Sequence, residues 1–319
     1  IIKIVHRTFK KLHQDGLLYR SNRLVNYCTR DGTGFSDLEV HYIERNDPLY
    51  YLKYGPFVLA TTRPETKFGD TAVAVHPDDK RYQNWIGKEI EVEGLIGKFK
   101  LKVIADQLVD PKFGTGVVKV TPAHDMADFE MGQRHKLSMK QVIGFDGRLT
   151  EVAGPYKGLK VAPARQKVVE DLKARGLIDH INEKYVHSIG TCYKCGHVIE
   201  PLPLPQWYIK IRPLADNAVK IIKSKKIKFA PKRFEKNALQ WLTNFRDWNI
   251  SRQIVWGIRI PAWKCRKCQN DEWIVTDGKP PEFCPECRGQ NLKQDPDTFD
   301  TWFSSGQWPF ATLKVNSQK

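Results

Sequence analysis

The sequence predicts a mixed α/β (α+β) fold: a strand-rich, barrel-like middle region with surrounding helices, flanked by further segments and by paired-cysteine knuckles. Three observations predict it. Apolar residues alternate with period two in stretches between residues 50 and 122, the mark of half-buried strands. They recur at helical spacing near both ends of that region. Six of the 7 cysteines fall into three Cys-x-x-Cys pairs. With 319 residues and 41% apolar content the chain can bury cores in two or three domains without disulfides.

The elements follow in order. Residues 1–20 read as an amphipathic helix with Ile2, Val5, Phe9 and Leu12 on one face and a stop at Gly16. "RLVNYCTRDGTGFSDLEVHYIE" reads as a hairpin turning at Asp31-Gly32. From residue 50 strands dominate; "EIEVEGLIGKFKLKVIADQLVD" alternates, and "GTGVVKVTP" (114–122) is a short strand that leads into a helix at "HDMADFEMGQRHKL". Residues 161–178 form a helix ending near Gly176, and 181–205 run back as an extended, proline-rich segment. Residues 212–250 read as helical, with Phe234, Trp241, Leu242, Phe245 and Trp248 as a core stripe; "RQIVWGIRIPAWKC" reads as strand. The first residues suggest a chain that begins inside a helix, as a piece of something longer would.

Lys and Arg number 52 against 36 Asp and Glu, a net charge of +16, which favours a polyanionic partner. Only "KIIKSKKIKFAPKR" (220–233) is a dense basic cluster. No run of apolar residues reaches the length of a membrane span, so no membrane partner is expected.

Cys265-x2-Cys268-x15-Cys284-x2-Cys287 has the count and spacing of a four-thiolate zinc ribbon. Four ligands leave no open position, so this zinc is structural. Cys192 and Cys195 need two more ligands. Cys28-x2-Asp31 offers them, with a carboxylate in one thiolate position, and His197 competes. A second zinc site of Cys28, Asp31, Cys192 and Cys195 would clasp the segments that enter and leave the middle region.

That region carries clustered polar groups beside apolar strands. "TTRPET" (61–66) separates two apolar runs. Lys119 and Thr121 share one strand face. Asp125 and Asp128 share one face of a first helical turn, where they serve either as caps or as acceptors for a ligand. Such a pocket suits a ligand bearing an ammonium group. Neither a nucleophile elbow nor a phosphate-cradling glycine loop occurs.

"ATTRPETKFGDTAVAVHPDD", "GTGVVKVTPAHDMADFE", "GPYKGL", "RDWNISRQIVWGIRIPAW" and "DTFDTWFSSGQWPF" together resemble the valyl-tRNA synthetase family, class I aminoacyl-tRNA synthetases. The resemblance runs through essentially the whole chain. The His-Ile-Gly-His-like and Lys-Met-Ser-Lys-Ser-like signatures of the ATP site are absent from it. The resemblance therefore implies the editing insertion of such an enzyme with flanking pieces of its Rossmann core: a flanking helix and hairpin at 1–48, the editing domain at 49–185, a return linker and helical segment at 186–262, the zinc ribbon at 263–292 and a core-flanking segment at 293–319.

It also implies a function: hydrolysis of threonine from mischarged tRNA(Val), with ATP and Mg needed only by the full-length parent. Arg63, Lys119 and Asp128 would surround the threonine hydroxyl, Asp125 would hold the α-ammonium, and Phe113 would pack on the terminal adenosine. Thr61, Thr62, Glu65, Thr121 and His124 would support the pocket. The partners implied are the 3' end of tRNA(Val) and the remainder of the synthetase chain, in the cytoplasm. The alternatives are the editing domain of an isoleucyl-type enzyme and a non-catalytic, zinc-containing RNA-binding module.

Overall fold

A computed structural model describes residues 1–268 and 272–316. Helix α1 (Ile2–Gln14) is followed by strands β1 (Leu18–Cys28), β2 (Thr33–Phe35), β3 (Val40–Tyr54) and β4 (Phe57–Thr61). Next come β5 (Ala72–Val75), β6 (Glu89–Val92), β7 (Phe99–Ala105) and β8 (Val117–Val120). Helices α2 (Met126–His135) and α3 (Val161–Ala174) precede β9 (Ile178–Cys192) and β10 (Glu200–Ile209). Helices α4 (Ile211–Lys223) and α5 (Arg233–Asn244), several short strands, and helices α6 (Thr301–Ser305) and α7 (Trp308–Asn316) complete the described chain. The chain divides into two compact units, residues 23–204 and residues 1–22 with 205–319.

In the unit of residues 23–204, β1 and β2 pair antiparallel through Cys28↔Thr33, and Gly32 turns the hairpin at φ +69°, a value that favours glycine. Strands β4, β3 and β9 form one antiparallel sheet; β6, β7, β5 and β8 form a second, in which only β5 and β7 are parallel. Leu52, Tyr54 and Leu59 of the first sheet share one core with Val73, Val103 and Val117 of the second and with Val168 and Leu172 of α3. The alternation expected over residues 89–105 is present: Ile90, Val92, Leu101 and Val103 point inward and the intervening lysines and glutamates point out.

The expected barrel is not closed. Among the described residues no strand ladder joins the two sheets. Where β4 and β8 approach, side chains bridge the gap instead: Thr115 Oγ1 donates to Val58 O at 2.5 Å. The period-two pattern specifies a buried face, and two stacked sheets satisfy it as well as a barrel does.

In the other unit, Val5 and Phe9 of α1 pack with Trp207, Ile250, Ile260 and Phe299. The strands Ala262–Cys265, Ile274–Val275 and Leu292–Gln294 form a small antiparallel sheet. Two sequence expectations fail here. The aromatic stripe of 212–250 is not core: Phe234, Trp241 and Phe245 are 45%, 57% and 41% exposed, and α5 buries none of its residues. Helical periodicity reports an apolar face and is silent on what covers it. Residues 252–265 are not one strand either; Val255 and Trp256 project from a loop that separates Ser251–Arg252 from Ala262–Cys265. An apolar loop tip makes the run read as continuous. No helix among the described residues is long and apolar enough to cross a membrane.

Candidate functional site

The polar hexapeptide after β4 folds into a 3-10 turn, Pro64–Gly69, with Pro64 at its start. Thr61 Oγ1 accepts the Arg63 N–H at 3.0 Å, and Thr66 Oγ1 donates to Arg63 O at 3.0 Å. The turn can lie this deep because residue 69 is glycine: a Cβ there would meet Lys140 O at 2.7 Å and the Thr121 methyl at 3.2 Å.

Arg63 and Glu65 are absorbed into an ion-pair lattice. Arg63 Nε donates to Glu65 Oε1 at 3.2 Å and Nη2 donates to Glu200 Oε2. Arg165 then donates to both Glu65 oxygens, at 2.8 and 2.9 Å. Glu65 is fully buried. Burial alone would raise its pKa, but Arg165 and Arg63 outweigh it and hold the carboxyl below its usual range. Arg63 Nη1 also reaches His124 O at 3.5 Å. Thr62 is half-buried.

Lys119 projects from β8 into a second cluster. Its Nζ donates to Thr121 Oγ1 at 2.6 Å and Thr66 Oγ1 at 3.1 Å, and lies 3.4 Å from Asp70 Oδ1. Thr121 Oγ1 donates to Asp70 Oδ1 at 2.6 Å, and Tyr54 Oη donates to Asp70 Oδ2 at 2.6 Å. The Thr121 N–H donates to Asp128 Oδ2 at 2.8 Å. Asp128 is buried in the first turn of α2, and burial, aided by the nearby Asp125 charge, pushes its carboxyl up to about 7. At neutral pH it is therefore divided between acid and carboxylate.

Asp125 is the N-cap of α2; its Oδ1 accepts from the Ala127 and Asp128 amides at 2.8 and 3.1 Å. The residue is exposed, so its other oxygen is available to a cation. His124 is buried; its Nε2 accepts the Val142 N–H at 2.7 Å and the Ile143 N–H at 3.3 Å, so Nδ1 carries the proton. Burial first, then the Arg63 charge, lower its pKa to about 3, and it is neutral. Nδ1 makes no hydrogen bond of good geometry, although the Pro201 carbonyl acts on it. Phe113 is 36% exposed and packs edge-on against Tyr185 at 6.3 Å.

Of the residues singled out from sequence, the fold thus joins Lys119, Thr121 and Asp128, with Asp125 one turn away on the same helix. Arg63 is linked to them through Thr66 and His124. Sequence reasoning missed Asp70, Tyr54, Arg165 and Glu200. Asp70 lies in the quoted stretch 60–79 and could have been suspected; Glu200 contacts Arg63 across 137 positions, and no local pattern announces it.

The six paired cysteines, Cys28 and Asp31 form two clusters. Ligand atoms of Cys265, Cys268, Cys284 and Cys287 lie within 4.8 Å of one another, as do those of Cys28, Asp31, Cys192 and Cys195. In the first, Cys265–Cys287 and Cys268–Cys284 sulfurs are 3.7 Å apart; in the second, Cys28–Cys195 sulfurs are 3.6 Å apart and Cys192 Sγ is 3.1 Å from Asp31 Oδ2. Tetrahedral zinc with Zn–S bonds of about 2.3 Å requires sulfurs about 3.8 Å apart. Both donor sets fit. Backbone N–H groups of Lys267 and Cys268 point at Cys265 Sγ at 3.4 and 3.5 Å, as a thiolate requires.

The family model for class I tRNA synthetases (I, L, M and V) matches residues 1–319. A valine–tRNA ligase of Petrotoga mobilis is 47% identical over 315 residues, covering 97% of this chain and 35% of that protein. That of Thermotoga maritima is 46% identical over 317 residues, covering 98% and 36%. The chain therefore spans about a third of the length of the curated relatives it matches. A crystal structure of an Agrobacterium radiobacter LeuRS in a ternary complex with tRNA and LeuAMS covers 96% of this chain and 43% of that one, at 15% identity and a TM-score of 0.31, too low to carry an argument. The chain belongs to the class I tRNA synthetase family, and the curated relatives it matches over nearly its whole length are valine–tRNA ligases.

Proposed function

We propose that this chain carries the editing chemistry of a valyl-tRNA synthetase: hydrolysis of the ester that joins threonine to tRNA(Val). Valyl-tRNA synthetases are the standing example of a pocket that rejects the threonine hydroxyl only about 10²-fold, so a second site must remove the error. The observation that carries the reading is the polar cluster at the junction of β8 and α2, where Lys119, Thr66, Thr121 and Asp128 meet. A β-hydroxyl entering it finds donors and acceptors. The methyl of valine would leave them unpaired, at a cost of about 1–3 kcal/mol per group. The same preference separates this reading from that of an isoleucyl-type editing domain, whose substrate is valine.

In this reading the free Asp125 oxygen holds the α-ammonium, and Phe113 stacks on the terminal adenine. Arg63 contributes through Thr66, whose hydroxyl it orients. Water attacks the ester carbonyl carbon; the carbonyl–ribose oxygen bond breaks, and the ribose hydroxyl leaves with a proton. The net charge of +16 supports a nucleic-acid substrate. Zinc at the two clusters acts structurally, holding the turns at the ends of β1 and β9 together and building the ribbon. Attachment of valine with ATP and Mg belongs to the whole synthetase, in the cytoplasm.

The test is Asp125→Asn. Asparagine keeps the helix cap but loses the charge that would bind the ammonium. Deacylation of Thr-tRNA(Val) should fall at least tenfold with the fold intact. Equal rates would remove Asp125 from the site, and absence of deacylation in the parent would favour the zinc-containing RNA-binding module.

A further inference from the structure

Asp70 has no assigned role, yet its side chain is fully buried and three side chains converge on it. An ionised carboxylate only accepts hydrogen bonds. The Tyr54 and Thr121 hydroxyls must therefore donate to it, and Thr121 Oγ1 is left with lone pairs alone to offer Lys119. Thr66 Oγ1 is committed in the same way, because its proton goes to Arg63 O. Two of the three Lys119 N–H groups are thereby fixed, at 2.6 and 3.1 Å. The third reaches only to 3.4 Å from Asp70. It is the weakest bond of the set, and the Lys119 side chain is 9% exposed.

A second ammonium strengthens the case. Lys67 is 3% exposed, with its Nζ 5.5 and 5.6 Å from the Tyr54 and Phe99 ring centres. Burial lowers its pKa, Asp70 raises it and Lys119 lowers it further. Asp70 is thus the counter-charge between two buried lysines that repel each other.

We infer that Asp70 is a positioning residue of the proposed editing site: it sets the hydrogen-bond directions around Lys119 so that one ammonium N–H is left for the substrate's β-hydroxyl. The inference rests on the editing reading and deepens it by naming what enforces the preference for a hydroxylated side chain. In Asp70→Asn the amide presents donors as well as an acceptor, so Thr121 and Tyr54 are no longer both forced to donate and Lys119 is no longer aimed.

The experiment compares initial deacylation rates of threonyl and valyl esters of the same tRNA(Val) for the parent, Asp70→Asn and Tyr54→Phe. The parent should prefer the threonyl ester. Asp70→Asn should reduce that preference about tenfold or more, the factor that one charge-assisted hydrogen bond carries. Tyr54→Phe, which removes one donor to Asp70, should reduce it less, and it decides the question if Asp70→Asn does not fold. A variant that is slower on both esters with the preference unchanged reveals a merely structural residue and overturns the inference while the editing reading stands. A parent inactive on both esters overturns the editing reading and this inference with it.

Discussion

Arg63 and Glu200 form an ion pair that closes 137 residues of chain, joining the turn after β4 to the first residue of β10. The arginine side chain is 25% exposed and the glutamate 7%. Burial acts against the guanidinium charge, but Glu200 and Glu65 outweigh it and hold the arginine above its ordinary pKa.

Removing one partner of such a pair leaves the other charge uncompensated, which costs about 3–5 kcal/mol for a fully buried pair. Arg63 keeps Glu65 when Glu200 is lost, so Glu200→Gln should destabilise by only about 1–3 kcal/mol. Arg63→Ala strands both Glu65 and Glu200 and should cost more. Urea denaturation of the two variants measures this, and the reverse order would contradict the lattice.

Asp128 makes stability depend on pH in a defined direction. Its native pKa is about 7 and an unfolded aspartate titrates near 3.9. The native state therefore binds the proton more tightly, and the stabilisation this gives is complete below about pH 4 and is lost as pH rises through 7. Asp128→Asn still accepts from the Thr121 amide but has no such loss. Its stability relative to the parent should rise between pH 4 and pH 8 in thermal melts, and a constant difference would show that Asp128 does not titrate in this range.

The two metal clusters predict two zinc ions per chain. Cys265→Ser and Cys192→Ser should each bind about one, since the donor sets share no residue. If Cys192→Ser holds as much zinc as the parent, the cluster containing Asp31 is not a metal site.

Phe113 is the accessible aromatic of the candidate site, supported from behind by Tyr185 and, through it, His187. Phe113→Ala should raise KM for aminoacyl-tRNA several-fold, because stacking on a base is worth about 1–3 kcal/mol, and should leave kcat nearly unchanged. A loss confined to kcat would place Phe113 elsewhere in the reaction.

Local pattern made the strands, the hairpin at Gly32, the α2 cap and both cysteine clusters legible, because each depends on residues a few positions apart or on a ligand count. The Lys119–Thr121 pair was legible for the same reason: two residues two apart share a strand face. Glu200, Arg165 and Tyr54 were not, because their partners lie 137, 100 and 16 positions away and are chosen by tertiary packing. The exposed Trp241 and the loop at Val255 and Trp256 misled for a related reason. An apolar side chain states a preference for burial, and the rest of the chain decides whether it is met.

The central claim is tested most directly by incubating the protein at low salt with Thr-tRNA(Val) and Val-tRNA(Ile) in parallel and following release of the amino acid. The account predicts faster release of threonine, and loss of that activity in Lys119→Ala. Release of valine alone, or of neither, would contradict it.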